Sequence, residues 1–474
     1  MSQAGLFVLQ FGGSLVVARL LTPYDMGVFA VAMAVAGLVS ILRSVGLASY
    51  LIRAPAIDEA MLASVFTVNA IIAAIVAAAI VAVSVLGELL LDEPGVRRVL
   101  LVLSLVPLLG IFELLPATGI ERSGDFRTIG IINLWRGAVS TGILLAFAFS
   151  GFSYMSLAYG QVAGAAFSVV TFTLLGREHL RLRFGLQDWR EITRYGFQML
   201  AISGVNTLSA RLAELLLGRL LGLSALGLYS RAVGLNSLLW DNIHSIVSRI
   251  VLVDFSEHKG RGLSLRDVYL RAVQLITALL WPAFAGMAVL AGPLILTLYG
   301  PNWVGAALPL SLLSVAAIVL ASITMTWEVF VVCQETGRQA RFEFVRAGVG
   351  FALFAGGCFA GLGWAAAARI GEALFSVILY RPHLERMTDT TGSDFIGIYA
   401  NSGLLTLVAI GPSAAVMSYY GWQPQAPLAI VLGAVVVGVA CWAGMLVRTK
   451  HPLAHEGRAL LARILPSRFR RRGD

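Results

Sequence analysis

The sequence predicts an all-α integral membrane protein of about fourteen transmembrane helices, built as two similar halves with an extra helix pair at the C-terminal end. Three observations carry this. The chain of 474 residues is 58% apolar and only 13% charged, with a mean hydropathy of +0.83; a soluble domain has about 25% charged residues. The apolar residues come in runs of roughly 17 to 25, long enough to cross a hydrocarbon core about 30 Å thick as helices. The short alternating segments of a large membrane β-barrel are absent. Finally, one turn occurs twice. Arg19–Ala32 (RLLTPYDMGVFAVA) returns as Arg219–Ala232 (RLLGLSALGLYSRA), with Arg19/Arg219, Leu20/Leu220, Leu21/Leu221, Gly27/Gly227 and Ala32/Ala232 matching. Each copy follows one apolar run and opens another, as expected of a tight helix-to-helix turn in which Arg ends one helix and Gly lets the next start close by.

The first helix is expected over about Ala4–Leu20, the second over Met26–Ile52, the third over Met61–Leu86 and the fourth over Val99–Leu115. A polar link, Glu121–Arg127, leads to the fifth (Ile129–Phe149), and the sixth follows (Tyr154–Leu175). A long polar stretch, Gly176–Tyr195, carries five arginines and separates the halves. The second half restarts near Gly196–Leu217 and continues over Leu226–Val253, Ala272–Tyr299 (with Pro282 and Pro293 kinking or ending it), Ala306–Val332, Phe344–Gly361 and Gly363–Tyr380. The link Gln334–Arg341 resembles Glu121–Arg127 in place and composition, a second mark of the repeat. A last pair, Phe395–Tyr419 and Pro427–Val447, has no counterpart in the first half. The expected domains are therefore two six-helix bundles at 1–176 and 196–381, a basic linker at 177–195, the extra pair at 395–447 and a basic tail at 448–474.

The net charge of +9 does not point to nucleic acid, because most of the Arg lies in short links and the tail. Those links fall on one side under a fourteen-helix scheme, while the other side keeps only Arg19, Arg97, Arg98 and Arg219. The positive-inside rule then places both termini in the cytoplasm. The tail interleaves Arg with Leu and Ile, which suits an interfacial helix on anionic lipid or a disordered topogenic tail. The N-terminus has no basic region and no cleavage site, so its first apolar run reads as a retained helix. Cys333, Cys358 and Cys441 lie in or beside apolar runs without metal-ligand spacing and read as lipid-buried thiols, with no disulfide framework implied.

The two turns, Ala18–Phe29 and Ala225–Ala232, and the links centred on Gly124 and Gly337 resemble the polysaccharide flippases of the multidrug/oligosaccharidyl-lipid/polysaccharide exporter superfamily. The resemblance covers nearly the whole chain. It implies a bacterial inner-membrane protein whose two six-helix bundles form a V around a central cavity. It also implies movement of lipid-linked sugar repeat units to the outer leaflet by alternating access. One departure is that family members carry more polar sequence and a longer first helix before the first turn, so the start of this chain is expected to be either trimmed or misassigned, which bears on the first helix and not on the family.

Charge inside a membrane helix is expensive, which makes intramembrane charges the first functional candidates. Arg43 is the leading one: a forked guanidinium suits the pyrophosphate of a lipid-linked substrate, and a structural Arg reaching for the headgroups is the alternative. Arg136, Arg231 and Arg249 are further candidates for the cavity. Arg211 with Glu214 and Arg369 with Glu372 stand three apart, so these arginines either line the cavity or form structural ion pairs. Asp241 and His244, three apart in mid-helix, can bind H⁺ or Na⁺ and couple transport to a gradient, or form a hydrogen-bonded patch. Glu113 and Glu328, near cytoplasmic helix ends, are ion-site candidates or carboxylates in contact with water. Arg19, Gly27, Arg219 and Gly227 are assigned to the structural turn.

No glycine-rich nucleotide loop with Lys is present; neither a cofactor nor a metal is expected, and the chain reads as a non-enzyme. The expected partners are a lipid-linked oligosaccharide, membrane lipids and the polysaccharide assembly proteins. A multidrug exporter is the second reading. A membrane polysaccharide polymerase or ligase is the third, but the outer links (Gly87–Arg98, Gly151–Ser153, Gly300–Gly305, Gly421–Ala426) are too short to carry catalytic groups.

Overall fold

The computed structural model describes residues 2–43, 46–54, 57–86, 93–179 and 183–454. Side chains are described throughout these ranges except at 2–10, 179, 195–203, 205–206, 245–250 and 253. Every described element is a helix: α1 (Ser2–Leu20), α2 (Pro23–Ser40), α3 (Leu47–Arg53), α4 (Glu59–Leu86), α5 (Pro94–Leu103), α6 (Leu105–Arg122), α7 (Phe126–Phe149), α8 (Met155–Leu175), α9 (Trp189–Leu221), α10 (Leu223–Gly260), α11 (Arg266–Val289), α12 (Ala291–Tyr299), α13 (Ala307–Ala321), α14 (Thr326–Val332), α15 (Thr336–Ala360), α16 (Leu362–Thr388), α17 (Gly392–Tyr419) and α18 (Leu428–Arg448), with short 3₁₀ turns. Eleven segments among the described residues are long and apolar enough to cross a membrane. With α1, α9 and α10, which stand first, seventh and eighth, they make the fourteen rods the sequence predicts. Residues 455–474, most of the basic tail, lie outside the described residues.

Several helices differ from their apolar runs, each for an identifiable reason. The second is not continuous: a 3₁₀ turn at Ile41–Arg43 ends α2, and α3 restarts after Gly46 at φ +62°, a left-handed position open to glycine. The fourth is longer than expected and jointed at Ser104, because Pro107 has no N–H for the Leu103 carbonyl. Helices α9 and α10 run to 33 and 38 residues, well past their apolar cores. Lys, Arg and Glu are good helix formers, so hydropathy marks the part in lipid and not the end of the helix. Pro282 lies inside α11 without ending it; the break comes at Leu290, and Pro293 falls in the first turn of α12, where its missing N–H costs nothing. The tenth run breaks between α13 and α14 at Met325, φ +60°. There the Ser322 carbonyl accepts from the Tyr399 hydroxyl at 2.6 Å and from Arg381 at 3.4 Å, which supplies the partner that lipid cannot.

The chain divides into two compact units, Met1–Ser230 and Arg231–Asp474. In unit 1, Leu51, Val65, Phe66 and Leu115 form one core. In unit 2, Tyr269, Phe284, Phe330 and Phe395 anchor a larger one.

The repeated turn owes its local geometry to four residues. Thr22 caps α2 in a capping box with Asp25, and Pro23 takes the first helical position. Asp25 also accepts from the Ser153 hydroxyl. Gly27 does more than start a helix. A Cβ there would lie 1.9 Å from the Leu223 carbonyl oxygen, and a Cβ on Gly227 would lie 1.9 Å from the Pro23 carbonyl oxygen. The two copies of the turn therefore meet each other reciprocally, backbone against backbone. Arg19 and Arg219 occupy the last turns of α1 and α9.

Outside the membrane, Asp125 caps α7. The Thr128 hydroxyl and amide both donate to its carboxylate and hold its pKa below the usual range. Just beyond α14, Cys333 is half-buried, and burial pushes its thiol pKa up. Cys358 is buried and Cys441 is exposed on α18; all three are free.

Candidate functional site

Unit 1 collects charge around Glu113 on α6. Gly160 and Gly164 let α8 approach α7 closely: added Cβ atoms would meet the Ser140 carbonyl at 2.8 Å and the Arg136 carbonyl at 3.4 Å. That approach brings Ser168 of α8 and Arg136 of α7 to one carboxylate. The Ser168 hydroxyl donates to Glu113 at 2.7 Å, and the Arg136 guanidinium stands 3.6 Å away. Arg43 reaches the same place from the 3₁₀ turn that ends α2. A Cβ on Gly110, one turn before Glu113, would lie 2.3 Å from Arg43 Nη2, so the missing side chain is the seat of this guanidinium. Glu113 is the carboxylate whose charge acts on Arg43. Two arginines thus share one glutamate, which Arg136 meets only as a loose ion pair.

Unit 2 holds a different arrangement. On α16 the Glu372 carboxylate takes Arg346 Nη1 at 2.6 Å on one oxygen and Arg369 Nη1 at 2.6 Å on the other. Arg346 also binds Glu343 at 2.7 and 3.0 Å, and the Tyr380 hydroxyl donates to Glu343 at 2.7 Å. Arg369 lies 4.4 Å above the Phe354 ring. Gly350 makes room, since a Cβ there would sit 2.5 Å from Glu372 Cδ. Two arginines meet two glutamates, at close range. Beside this network lies a cavity of about 270 Å³ lined by Asn236, Ser237, Trp240, Asp241, Arg369 and Glu372 with alanines and leucines of α13.

The remaining candidates fall elsewhere. Arg211 pairs with Glu214 at 2.9 Å and lies against Gly37 of α2. Arg231 stands 5.3 Å from the Tyr299 ring and 5.4 Å from Trp303, in cation–π geometry. His244 stacks on Trp240 at 5.7 Å and 13°. Glu328, at a helix end where contact with water was an alternative, is 2% exposed in the first turn of α14. The Arg249 side chain lies outside the described residues. Sequence reasoning missed Arg346, Glu343 and Ser168. The first two repeat the three-residue Arg/Glu spacing of the flagged pairs but sit at the predicted edge of a helix. Ser168 was findable through the Gly160/Gly164 spacing that sets α8 on α7.

A second concave feature in unit 2 is an apolar groove of about 600 Å³ between α11, α12, α17 and α18, with Pro282, Met287, Leu294, Ala409, Val435 and Trp442 among its walls.

A family profile described as "Polysaccharide biosynthesis protein" matches residues 16–308. The chain belongs to this family. Among its relatives, the succinoglycan biosynthesis transport protein ExoT of Rhizobium meliloti (strain 1021) is 26% identical over 303 residues, 64% of this chain and 61% of that protein. The lipopolysaccharide biosynthesis protein WzxC of Escherichia coli (strain K12) is 23% identical over 297 residues, 61% of this chain and 59% of that one. The matched region thus spans about three-fifths of these relatives' own length. Among solved structures, the lipid II flippase MurJ in an inward closed conformation superposes with a TM-score of 0.77 at 11% identity, over 96% of this chain and 98% of that one. An inward-facing multidrug transporter of the MATE family, MOP superfamily, gives 0.57 at 15% identity, over 82% and 94%. These likenesses establish that this member of the polysaccharide biosynthesis family has the MOP fold.

Proposed function

We propose that this protein is a flippase that moves undecaprenyl-pyrophosphate-linked oligosaccharide repeat units from the cytoplasmic to the outer leaflet of the bacterial inner membrane, for exopolysaccharide, capsule or O-antigen assembly. The observation that carries the reading is the unbalanced charge of unit 1. Among the described residues Arg43 and Arg136 share Glu113, which leaves one positive charge inside a membrane bundle. An arginine at helix centre costs about 2.5–3.5 kcal/mol on insertion scales, so an uncompensated one is retained for a ligand. A diphosphate is the anion that two forked guanidinium groups fit best. The apolar groove of unit 2 suits the polyprenyl tail, which needs only apolar contact. The names of ExoT and WzxC, a transport protein and a lipopolysaccharide biosynthesis protein, support the same substrate class.

In this reading the bundles are 1–176 and 196–381, both termini are cytoplasmic, and the protein carries its substrate without making or breaking a bond. H⁺ or Na⁺ coupling belongs to the proposal, with Glu113 the carboxylate best placed to respond when the arginines turn to substrate.

The test replaces the native gene by Arg43→Ala at matched protein level. Surface polymer is expected to fall at least tenfold, with lipid-linked repeat units accumulating on the cytoplasmic leaflet. Normal polymer from the variant removes Arg43 from the mechanism. Normal polymer in the full deletion, with no redundant carrier, overturns the flippase reading and puts drug export first.

A further inference from the structure

The cavity beside the unit 2 charge network is used neither by the diphosphate site nor by the lipid groove. It lies about midway along α10: Asp241 is 18 residues into this 38-residue helix, about 27 Å along its axis at 1.5 Å per residue. Its volume of about 270 Å³ is roughly nine times the 30 Å³ or so that one water occupies in the liquid. That is too large for a bare ion and of the size of one sugar ring.

Its walls mix donors and acceptors. The Asn236 side-chain nitrogen is buried with no hydrogen-bond partner, and a buried amide N–H₂ left alone is costly. The Asp241 carboxylate has no ion-pair or hydrogen-bond partner among the described residues, so its acceptor sites are open. Ser237, exposed on the same wall, supplies a hydroxyl that both donates and accepts. Trp240 contributes an aromatic surface, braced by His244 at 5.7 Å and Phe284 at 6.1 Å. Glu372 is committed to Arg346 and Arg369, so the network behind the cavity is rigid. No group of three or more His, Cys, Asp or Glu suited to a metal occurs among the described residues. An aromatic face, an open carboxylate, a hydroxyl and an unpartnered amide at the wall of one ring-sized space match a neutral, polyhydroxylated ligand, whose hydroxyls donate and accept at once.

We infer that this cavity is a saccharide subsite that holds one sugar residue of the carried glycan. The inference rests on the flippase reading and adds the residues that read the sugar.

The test uses the full chain in nanodiscs and measures affinity for undecaprenyl diphosphate, bare or bearing one hexose, one N-acetylhexosamine or one deoxyhexose. At least one glycosylated lipid is expected to bind about tenfold tighter than the bare one. Asp241→Asn and Asn236→Leu should each bring that ratio to within twofold of one, with affinity for the bare lipid unchanged. Ser237→Phe, which fills the cavity from an exposed position, should do the same and stands in for either variant that fails to fold. Arg43→Ala should weaken bare and glycosylated lipids by the same factor. A sugar preference that survives the three cavity variants, while Arg43→Ala still weakens binding, overturns the subsite and leaves the flippase reading standing. A change in Na⁺ or pH dependence with the preference intact also overturns it, in favour of an ion site. Failure of the unaltered chain to bind any of these lipids overturns both.

Discussion

The charge clusters of the two units are built from the same side chains and come out differently. In unit 2, two arginines and two glutamates pair at 2.6–3.0 Å. In unit 1, two arginines have one glutamate, with Arg136 at 3.6 Å. Each cluster rests on a glycine, but Gly350 seats a carboxylate and Gly110 seats a guanidinium. A closed, neutral set is what helix packing in lipid requires. An open, positive set is tolerated only where something else supplies the missing anion. In the proposed reading the same residue types serve structure in one unit and ligand binding in the other, and the count of carboxylates is what separates the two roles.

The largest expected effect tests the closed set. Glu372, with its side chain 11% exposed, holds both Arg346 and Arg369. Removing one partner of a buried ion pair costs about 3–5 kcal/mol, so Glu372→Gln should lower the thermal midpoint of the purified protein sharply and reduce its yield. Glu113→Gln removes a longer contact, 3.6 Å instead of 2.6 Å, whose partners are 38% and 23% exposed, so its loss of stability should be the smaller. Equal loss of stability in the two variants would abolish the distinction between the clusters.

The seating glycines give a smaller effect. Gly350→Ala drives a Cβ into Glu372 Cδ, an atom fixed by two ion pairs, and overpacking of this kind costs about 1–3 kcal/mol. At Gly110 the clash is with the far end of Arg43, which can swing away. Gly110→Ala is therefore expected to leave the melting temperature within about 2 °C, since about 1 kcal/mol corresponds to roughly 2–4 °C in a domain of 150–250 residues, and to cut transport several-fold because the guanidinium has left its seat. A variant with normal transport would mean that Arg43 works from more than one position.

How much of this was legible depends on what each feature rests on. The fourteen rods were readable because lipid demands about twenty apolar residues per crossing, and α17 and α18 begin and end within a few residues of their apolar runs. The break at Ile41–Arg43 was not, since Arg43 interrupts the apolar run no more than a snorkelling arginine would; only the left-handed Gly46 marks it. The repeated turn was visible as sequence, yet its meaning was in part hidden. Gly27 and Gly227 looked like helix starters, whereas each keeps a carbonyl of the opposite copy within reach. The pairs Arg211–Glu214 and Arg369–Glu372 followed from helical spacing alone. The meeting of Arg43, Glu113 and Arg136 did not, because separate elements converge there through Gly110 on one side and Gly160 and Gly164 on the other, and convergence between elements leaves no period in the sequence.

The smallest effect on the fold is the most informative about the open set. Glu113 competes with any anion for Arg43 and Arg136. Neutralising it in Glu113→Gln keeps the side chain's shape and its bond from Ser168, and it removes the competing charge. Affinity for bare undecaprenyl diphosphate should rise, by about tenfold if the freed Coulomb term is near 1.4 kcal/mol, while the rate of transport falls because the product is held too well. Tighter binding with slower turnover is the outcome expected of a carboxylate that takes the arginines back when substrate leaves. Weaker binding would instead make Glu113 the residue that holds both guanidinium groups in place, and the open set would then owe its geometry to the glutamate rather than its charge to the lack of a second one.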